Sequence, residues 1–241
     1  MSNWDLLDSG INSAEHNMRI DRELLEGAAH LKGPVLHFYE WEKPSLTYGH
    51  FIDPALLLNQ EKLNTLGWQS AKRSTGGGIV FHLWDMAFSL VVPAHCPEFS
   101  INTLDNYAFV NRAVLKAVEA FLPQGLDLHL IEHDTTPLDP HCSHFCMARP
   151  TKYDVLWQGK KIAGAAQRKT KTGFLHQGTI ALVAPSQELL EQVLLSSSQV
   201  SGAMQTYTYP LLGVQAMHKE IVAAKQQLRN FLTHQFRSNI L

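Results

Sequence analysis

The sequence predicts an α+β fold, a mixed and largely antiparallel sheet flanked by helices. Three observations carry that reading. Helical periodicity is strongest near the two ends and in one central segment. Strand-like runs follow one another in groups rather than alternating one-for-one with helices. Glycine and proline punctuation joins neighbouring runs closely enough for hairpins. The chain has 241 residues, 45% of them hydrophobic, enough to bury a core.

Taken in order, residues 12–30 read as a helix with Ala14, Met18, Leu24, Leu25 and Ala28 on one face and Ser13 as its cap. Val35–Tyr39 and Ser45–Tyr48 are short strands separated by Pro44, and Pro54–Leu66 is a helix closed by Gly67. Gln69–Arg73, Ile79–His82 and Ala87–Val92 are strands around three consecutive glycines. Leu104–Leu122 is the clearest helix: Tyr107, Val110, Val114, Val118 and Phe121 recur at helical spacing, and Pro123 and Gly125 stop it. Leu126–Ile131 is a strand, and Tyr153–Trp157 with Lys161–Gln167 forms a hairpin about Gln158-Gly159. Phe174–Val183 is a further strand, and the remainder is helical with Met217, Ile221, Leu228 and Phe231 facing inward.

Composition removes several function classes. A net charge of −2 gives no basic surface for nucleic acid or an anionic membrane, and no apolar run reaches membrane-spanning length. The start, MSNWDLLDSG, is acidic and polar, unlike a signal peptide. Three cysteines, an odd number, suit a reducing compartment, and a cytoplasmic protein is expected.

Two stretches carry candidate chemistry. KRSTGGGIVFH places Gly76, Gly77 and Gly78 beside Arg73, but matches no P-loop or dinucleotide fingerprint. Consecutive glycines expose backbone N–H groups suited to an oxygen ligand, although a β-bulge or turn explains this segment alone equally simply. In KIAGAAQ, Lys161 stands in an apolar strand, where a lysine needs an edge or a partner. PHCSHFC crowds His141, Cys142, His144 and Cys146, but the spacing fits no common zinc site, and no metal is expected.

In combination, RSTGGGIVFH (73–82), DVLWQGKKIAGAAQR (154–168) and GTIAL (178–182) resemble the lipoate-protein ligase and octanoyltransferase family, a branch of the biotin/lipoate attachment enzymes. NMRIDRELL (17–25) and PSLTYGHF (44–51) sit where that family has counterparts. The resemblance implies a biotin/lipoate-ligase-like catalytic domain spanning residues 1–241 without a C-terminal accessory domain. It implies that Arg73, Ser74, Thr75, Gly76, Gly77, Gly78, His82, Ala163, Gly164, Gly178 and Thr179 line a pocket for a medium-chain acyl group. Lys161 would hold the reacting carbonyl, small Ala163 and Gly164 would leave room for the acyl chain, and His82 would brace the glycine loop through a backbone hydrogen bond. One departure stands out: the family usually has His directly before the Gly-Ser/Thr of the third motif, where this chain has Gln177, with His176 one residue earlier.

The family holds two chemistries. Ligases activate free lipoate with ATP and Mg²⁺. Transferases pass octanoyl from acyl carrier protein to a cysteine and need no cofactor. Cys146, with Pro150, Tyr153 and Asp154 at the spacing of one transferase branch, favours the second. A thiolate attacks a thioester readily and stays energetic enough to acylate an amine, with Lys161 expected to favour the thiolate; a buried hydrophobic cysteine is the plainer alternative. The expected acceptors are lipoyl domains of 2-oxoacid dehydrogenases or the glycine cleavage H protein. A non-catalytic lipoyl-domain binder is the rival that intact activity in Cys146→Ser or Lys161→Ala would favour.

Overall fold

Strands with apolar residues on both faces must be covered twice, and that requirement organises the molecule. The computed structural model describes residues 4–195 and 198–238. A seven-stranded sheet runs β1 (Asp5–Asn12), β2 (Val35–Trp41), β6 (Asp85–Pro93), β10 (Gly173–Ala181), β9 (Lys160–Lys169), β8 (Val155–Trp157) and β7 (Leu128–Leu130) across its width. Its central strands β6 and β10 are buried along their whole lengths. A second sheet orders β4 (Gln69–Lys72), β3 (Ser45–Tyr48) and β5 (Val80–His82). Pairing is antiparallel except for β1 with β2 and β3 with β4, so the sheets are mixed as the sequence predicts.

One face of the large sheet is closed by α3 (Thr103–Phe121) and α6 (His218–Ser238) over the main core, where Phe88, Ile162, Phe174, Ile180, Val114 and Leu228 meet. The opposite face is covered by α1 (Ala14–Glu26), the small sheet, and α4 (Gln187–Val193) with α5 (Val200–Tyr207). The site lies on this second side.

Several boundaries move from the sequence reading. The first helix is capped by Ser13, whose hydroxyl accepts from the His16 amide, and ends at Gly27 with a 3₁₀ turn, Ala28–His30, beyond it. Residues 54–66 split into a 3₁₀ turn, Pro54–Leu56, and α2 (Gln60–Thr65), because Asp53 and Asn59 each cap a separate start. β1 was not foreseen: its pairing is parallel and distant in sequence, and most of its side chains face solvent. Met217 precedes α6 and is exposed rather than inward, while Ile221 and Leu228 are buried. No described helix is long and apolar enough to cross a membrane.

His176 points into the main core, against Phe88 and Tyr107, and neither ring nitrogen has a hydrogen-bond partner among the described residues. Burial pulls its imidazole from the ordinary 6.5 down to about 3, so it is neutral in the folded protein. Below pH 6.5 the unfolded chain takes up a proton there that the folded chain refuses. Stability is therefore complete above 6.5 and lost as the pH falls from 6.5 toward about 3. Between neutrality and about pH 5, the wild type is expected to lose ~2 kcal/mol more than His176→Phe, read from urea midpoints.

Candidate active site

The glycine run joins β4 to β5, and Arg73 at its head is buried with its guanidinium turned back over it. Arg73 Nη2 donates to the carbonyls of Gly76 at 3.1 Å and Gly78 at 2.6 Å, and Nη1 donates to Thr47 Oγ1 at 2.8 Å. With the carbonyls of Gly76 and Gly78 taken by Arg73, the run has N–H groups that no protein acceptor holds among the described residues. Gly77 has φ +81°, and a Cβ there would sit 3.3 Å from Ala166 Cβ, 3.4 Å from Arg73 Nη2 and 3.6 Å from Cys146 Sγ. At Gly78 the need is space: a Cβ would come within 2.3 Å of the His144 carbonyl oxygen.

That close approach is what places Cys146. The Ile79 amide donates to the His144 carbonyl at 2.6 Å, and the Cys146 amide donates to the Ile79 carbonyl at 2.9 Å, a short bridge between two loops remote in sequence. Cys146 is half-buried, whereas Cys142 is fully buried, its thiol pushed up by burial. No group of three histidines, cysteines or carboxylates is placed to hold a metal ion among the described residues.

Lys161 is almost completely buried, and its partners are already assigned. Nζ pairs with Asp154 Oδ2 at 2.7 Å and donates to the Cys146 carbonyl at 2.7 Å. Asp154 Oδ2 also accepts from the Thr151 amide at 2.6 Å and its hydroxyl at 2.8 Å. Burial raises the Asp154 carboxyl above its ordinary value, with the Lys161 charge opposing. The lysine stem crosses Gly164, where a Cβ would meet Cε at 2.2 Å and Nζ at 2.5 Å. Gly164 therefore makes room for the lysine rather than for an acyl chain. Ala163 lies on the other face, paired with Ile180 and packed in the main core, because strand alternation turns it away from the cavity.

Two cations lie near Cys146: Lys161, which is paired with Asp154, and Arg73. Burial lowers the Arg73 guanidinium from its ordinary value, and nearby Cys146 is foremost among the groups that oppose this shift. No carboxylate pairs with Arg73 among the described residues. Thr47 extends the network, with Oγ1 2.8 Å from His82 Nε2, and His82 Nδ1 is 2.7 Å from Asp85 Oδ2. The Thr179 hydroxyl donates to the same Asp85 oxygen at 2.6 Å. Buried Asp85 would be pushed up by desolvation, but His82 and Thr179 together hold it below the ordinary carboxylate value. His82 thus has side-chain partners, not the backbone hydrogen bond expected of it, and Trp41 stacks on its ring at 4.1 Å.

These groups border a cavity of about 370 Å³. Cys146 and Arg73 lie toward β9, Gln177 and Thr179 along β10, and Met18 and Tyr39 toward β1 and β2. From β9 to β2 is three strand steps, roughly 14 Å. Gly164 and Gly178 contribute backbone to this wall, and Gly178 is also held to glycine from behind, where a Cβ would strike the Phe88 ring at 2.4 Å. Of the residues named from sequence, Arg73, His82, Gly164, Gly178, Thr179 and Cys146 line it. Thr75 and Gly77 adjoin it through Gln177 and Cys146, Ser74 offers its carbonyl to Arg168 at 3.5 Å, and Ala163 lies elsewhere. Thr47, Asp85, Asp21 and Tyr39 were missed. The one available signal was Asp85, three residues after His82 on the same face of the chain's turn into β6.

The family described as "Lipoyl protein ligase A/B catalytic domain" matches residues 13–227. Octanoyltransferase LipM of Lysinibacillus sphaericus is 30% identical over 211 residues, covering 85% of this chain and 75% of that protein. The Bacillus subtilis LipM is 29% identical over 207 residues, covering 84% and 73%. Among solved structures, a bipartite lipoate protein ligase of Thermoplasma acidophilum superposes with a TM-score of 0.69 at 20% identity, covering 98% of this chain and 85% of that one. A lipoate-protein ligase A bound with ATP gives 0.69 at 21% identity, with 98% and 85% covered. At such identities the structural likeness establishes the fold.

Proposed function

Because the chain belongs to the lipoyl protein ligase A/B catalytic-domain family, we propose that it transfers an octanoyl group from a carrier-protein thioester, through Cys146, to a lysine of a lipoyl-domain protein. The observation that carries the reading is the thiol of Cys146 at the cavity wall beside a buried guanidinium that no carboxylate neutralises. A cysteine sulfur facing the cavity is the nucleophile that transfer through a thioester needs.

In the first half-reaction, Cys146 gives its proton to solvent and its sulfur attacks the donor carbonyl. Negative charge gathers on that oxygen, where the glycine-run N–H groups can donate to it. The C–S bond to the carrier then breaks, and the departing thiolate takes a proton from water. In the second half-reaction the acceptor amine attacks the enzyme thioester, an amide forms, the nitrogen loses a proton, and Cys146 leaves as thiolate. Thioester exchange is nearly balanced in energy, and amide formation draws the sequence forward. Lys161 holds the Cys146 peptide in place through its carbonyl, and Asp154 holds Lys161. The acyl chain would lie in the cavity toward Tyr39. Neither half-reaction consumes a cofactor.

The test is acceptor modification on a lipoyl domain with octanoyl carrier protein and no nucleotide, set against free lipoate with ATP and Mg²⁺. Modification from the carrier thioester alone is expected. Modification that occurs only with ATP would replace this reading with ATP-driven ligation.

A further inference from the structure

Beside the cavity runs a second buried hydrogen-bonded chain that the transfer chemistry does not use. Asp21 on α1 is fully buried, and its carboxylate is shared among several groups. Oδ1 accepts from Ser89 Oγ at 2.5 Å and from His37 Nδ1 at 2.8 Å, and Oδ2 accepts from Gln177 Nε2 at 2.6 Å. Tyr39 is buried close to the same carboxylate: burial first, and then the Asp21 charge, push its phenol well above its ordinary value. At its other end the Gln177 amide oxygen accepts from Thr75 Oγ1 at 2.7 Å. Thr75 is buried and directly precedes Gly76, so this line of bonds runs from helix α1 through β10 to the head of the glycine run.

A run of three glycines has no side chains with which to fix itself, so its position must come from its flanks. The far flank is held where Gly78 and Ile79 meet His144, and the middle is held by Arg73. The near flank is held at Thr75 in two ways: its carbonyl accepts from the His50 amide at 3.0 Å, and its hydroxyl donates to Gln177. We propose that Gln177 is a positioning residue: it ties Thr75 to the Asp21 carboxylate and so sets the glycine-run amides against Cys146. The chemistry explains the residue type. An amide offers an acceptor for the threonine hydroxyl and a donor for the carboxylate on one side chain. Methionine has similar length and provides neither. An ionised glutamate would set a second anion against Asp21. A histidine ring, with one N–H toward Asp21 and a bare nitrogen toward Thr75, fills the same two roles.

The inference rests on the acyl-transfer reading for its activity measurement only, and its structural arm stands apart from it. In full-length protein, Gln177→Met is expected to raise amide hydrogen exchange in the peptide 74–79 about tenfold. It is expected to lower kcat for acyl transfer about tenfold while leaving KM for the acyl donor within about twofold. Gln177→His should restore both to within about threefold, and Thr75→Val should reproduce the methionine variant, with little further loss when the two are combined. Equal exchange and kcat in the methionine and histidine variants, or additive effects of Thr75→Val and Gln177→Met, would overturn the proposal. If the wild type moves no acyl group from a thioester, the functional reading falls while the exchange measurement still decides the anchor.

Discussion

Cys146→Ala is expected to lower acyl transfer by about a thousandfold or more, since the acyl group then has no covalent station between donor and acceptor. Intact-mass measurement after incubation with octanoyl carrier protein should show an octanoyl adduct on the wild type and none on the variant. The fold should not change. The Cys146 backbone is held through its amide to Ile79 and its carbonyl to Lys161, and neither contact involves the sulfur. The variant should therefore melt within a few degrees of wild type, in the range of a mild substitution at a half-buried position. Cys146→Ser keeps a hydroxyl but lacks the readily formed anion, and should behave like alanine. An adduct that survives in either variant would move the nucleophile elsewhere.

Arg73→Met should produce the second large effect, and through two routes. It removes the cation beside the thiol, and it releases the carbonyls of Gly76 and Gly78 together with the Thr47 hydroxyl. Acyl-enzyme formation is expected to fall about a hundredfold, the scale seen when a preorganised electrostatic contact is lost. Stability should drop by ~2 kcal/mol, because three buried acceptors lose a charged donor. Arg73→Lys keeps the charge but cannot reach three acceptors with a planar fork, and should fall between the two. Alkylation of Cys146 by iodoacetamide isolates the electrostatic route, because it needs no substrate. A methionine variant that alkylates as fast as wild type would show that Arg73 does not support the thiolate.

How far these arrangements could be read from sequence depends on their range. The glycine run, the Lys161 strand and the central helix were legible because each is a contiguous pattern with its own physical signature. The pairing of Gly78 with His144 was not, since it depends on two loops meeting across more than sixty residues. The resemblance gave the room at Gly164 to an acyl chain; neither residue size nor strand alternation can show that Lys161 bends over it to reach Asp154. The same rule does explain why Ala163 is absent from the cavity wall, and why Gln177 and His176 part company. Lys161, taken from the family motif as the cation favouring the thiolate, is paired with Asp154, a partner sequence alone did not reveal, whereas the buried cation without a carboxylate among the described residues is Arg73.

The Lys161 ion pair has one further consequence. If Cys146 is the nucleophile, an enzyme that acylates lysines and keeps a lysine bound to that residue's carbonyl risks modifying itself. Nζ directs its protons to Asp154 and to the Cys146 carbonyl, and an ammonium so engaged has no lone pair with which to attack a thioester. On the proposed chemistry, the contact that holds the Cys146 peptide would also keep the enzyme from becoming its own acceptor, leaving the thioester for an amine that arrives from outside.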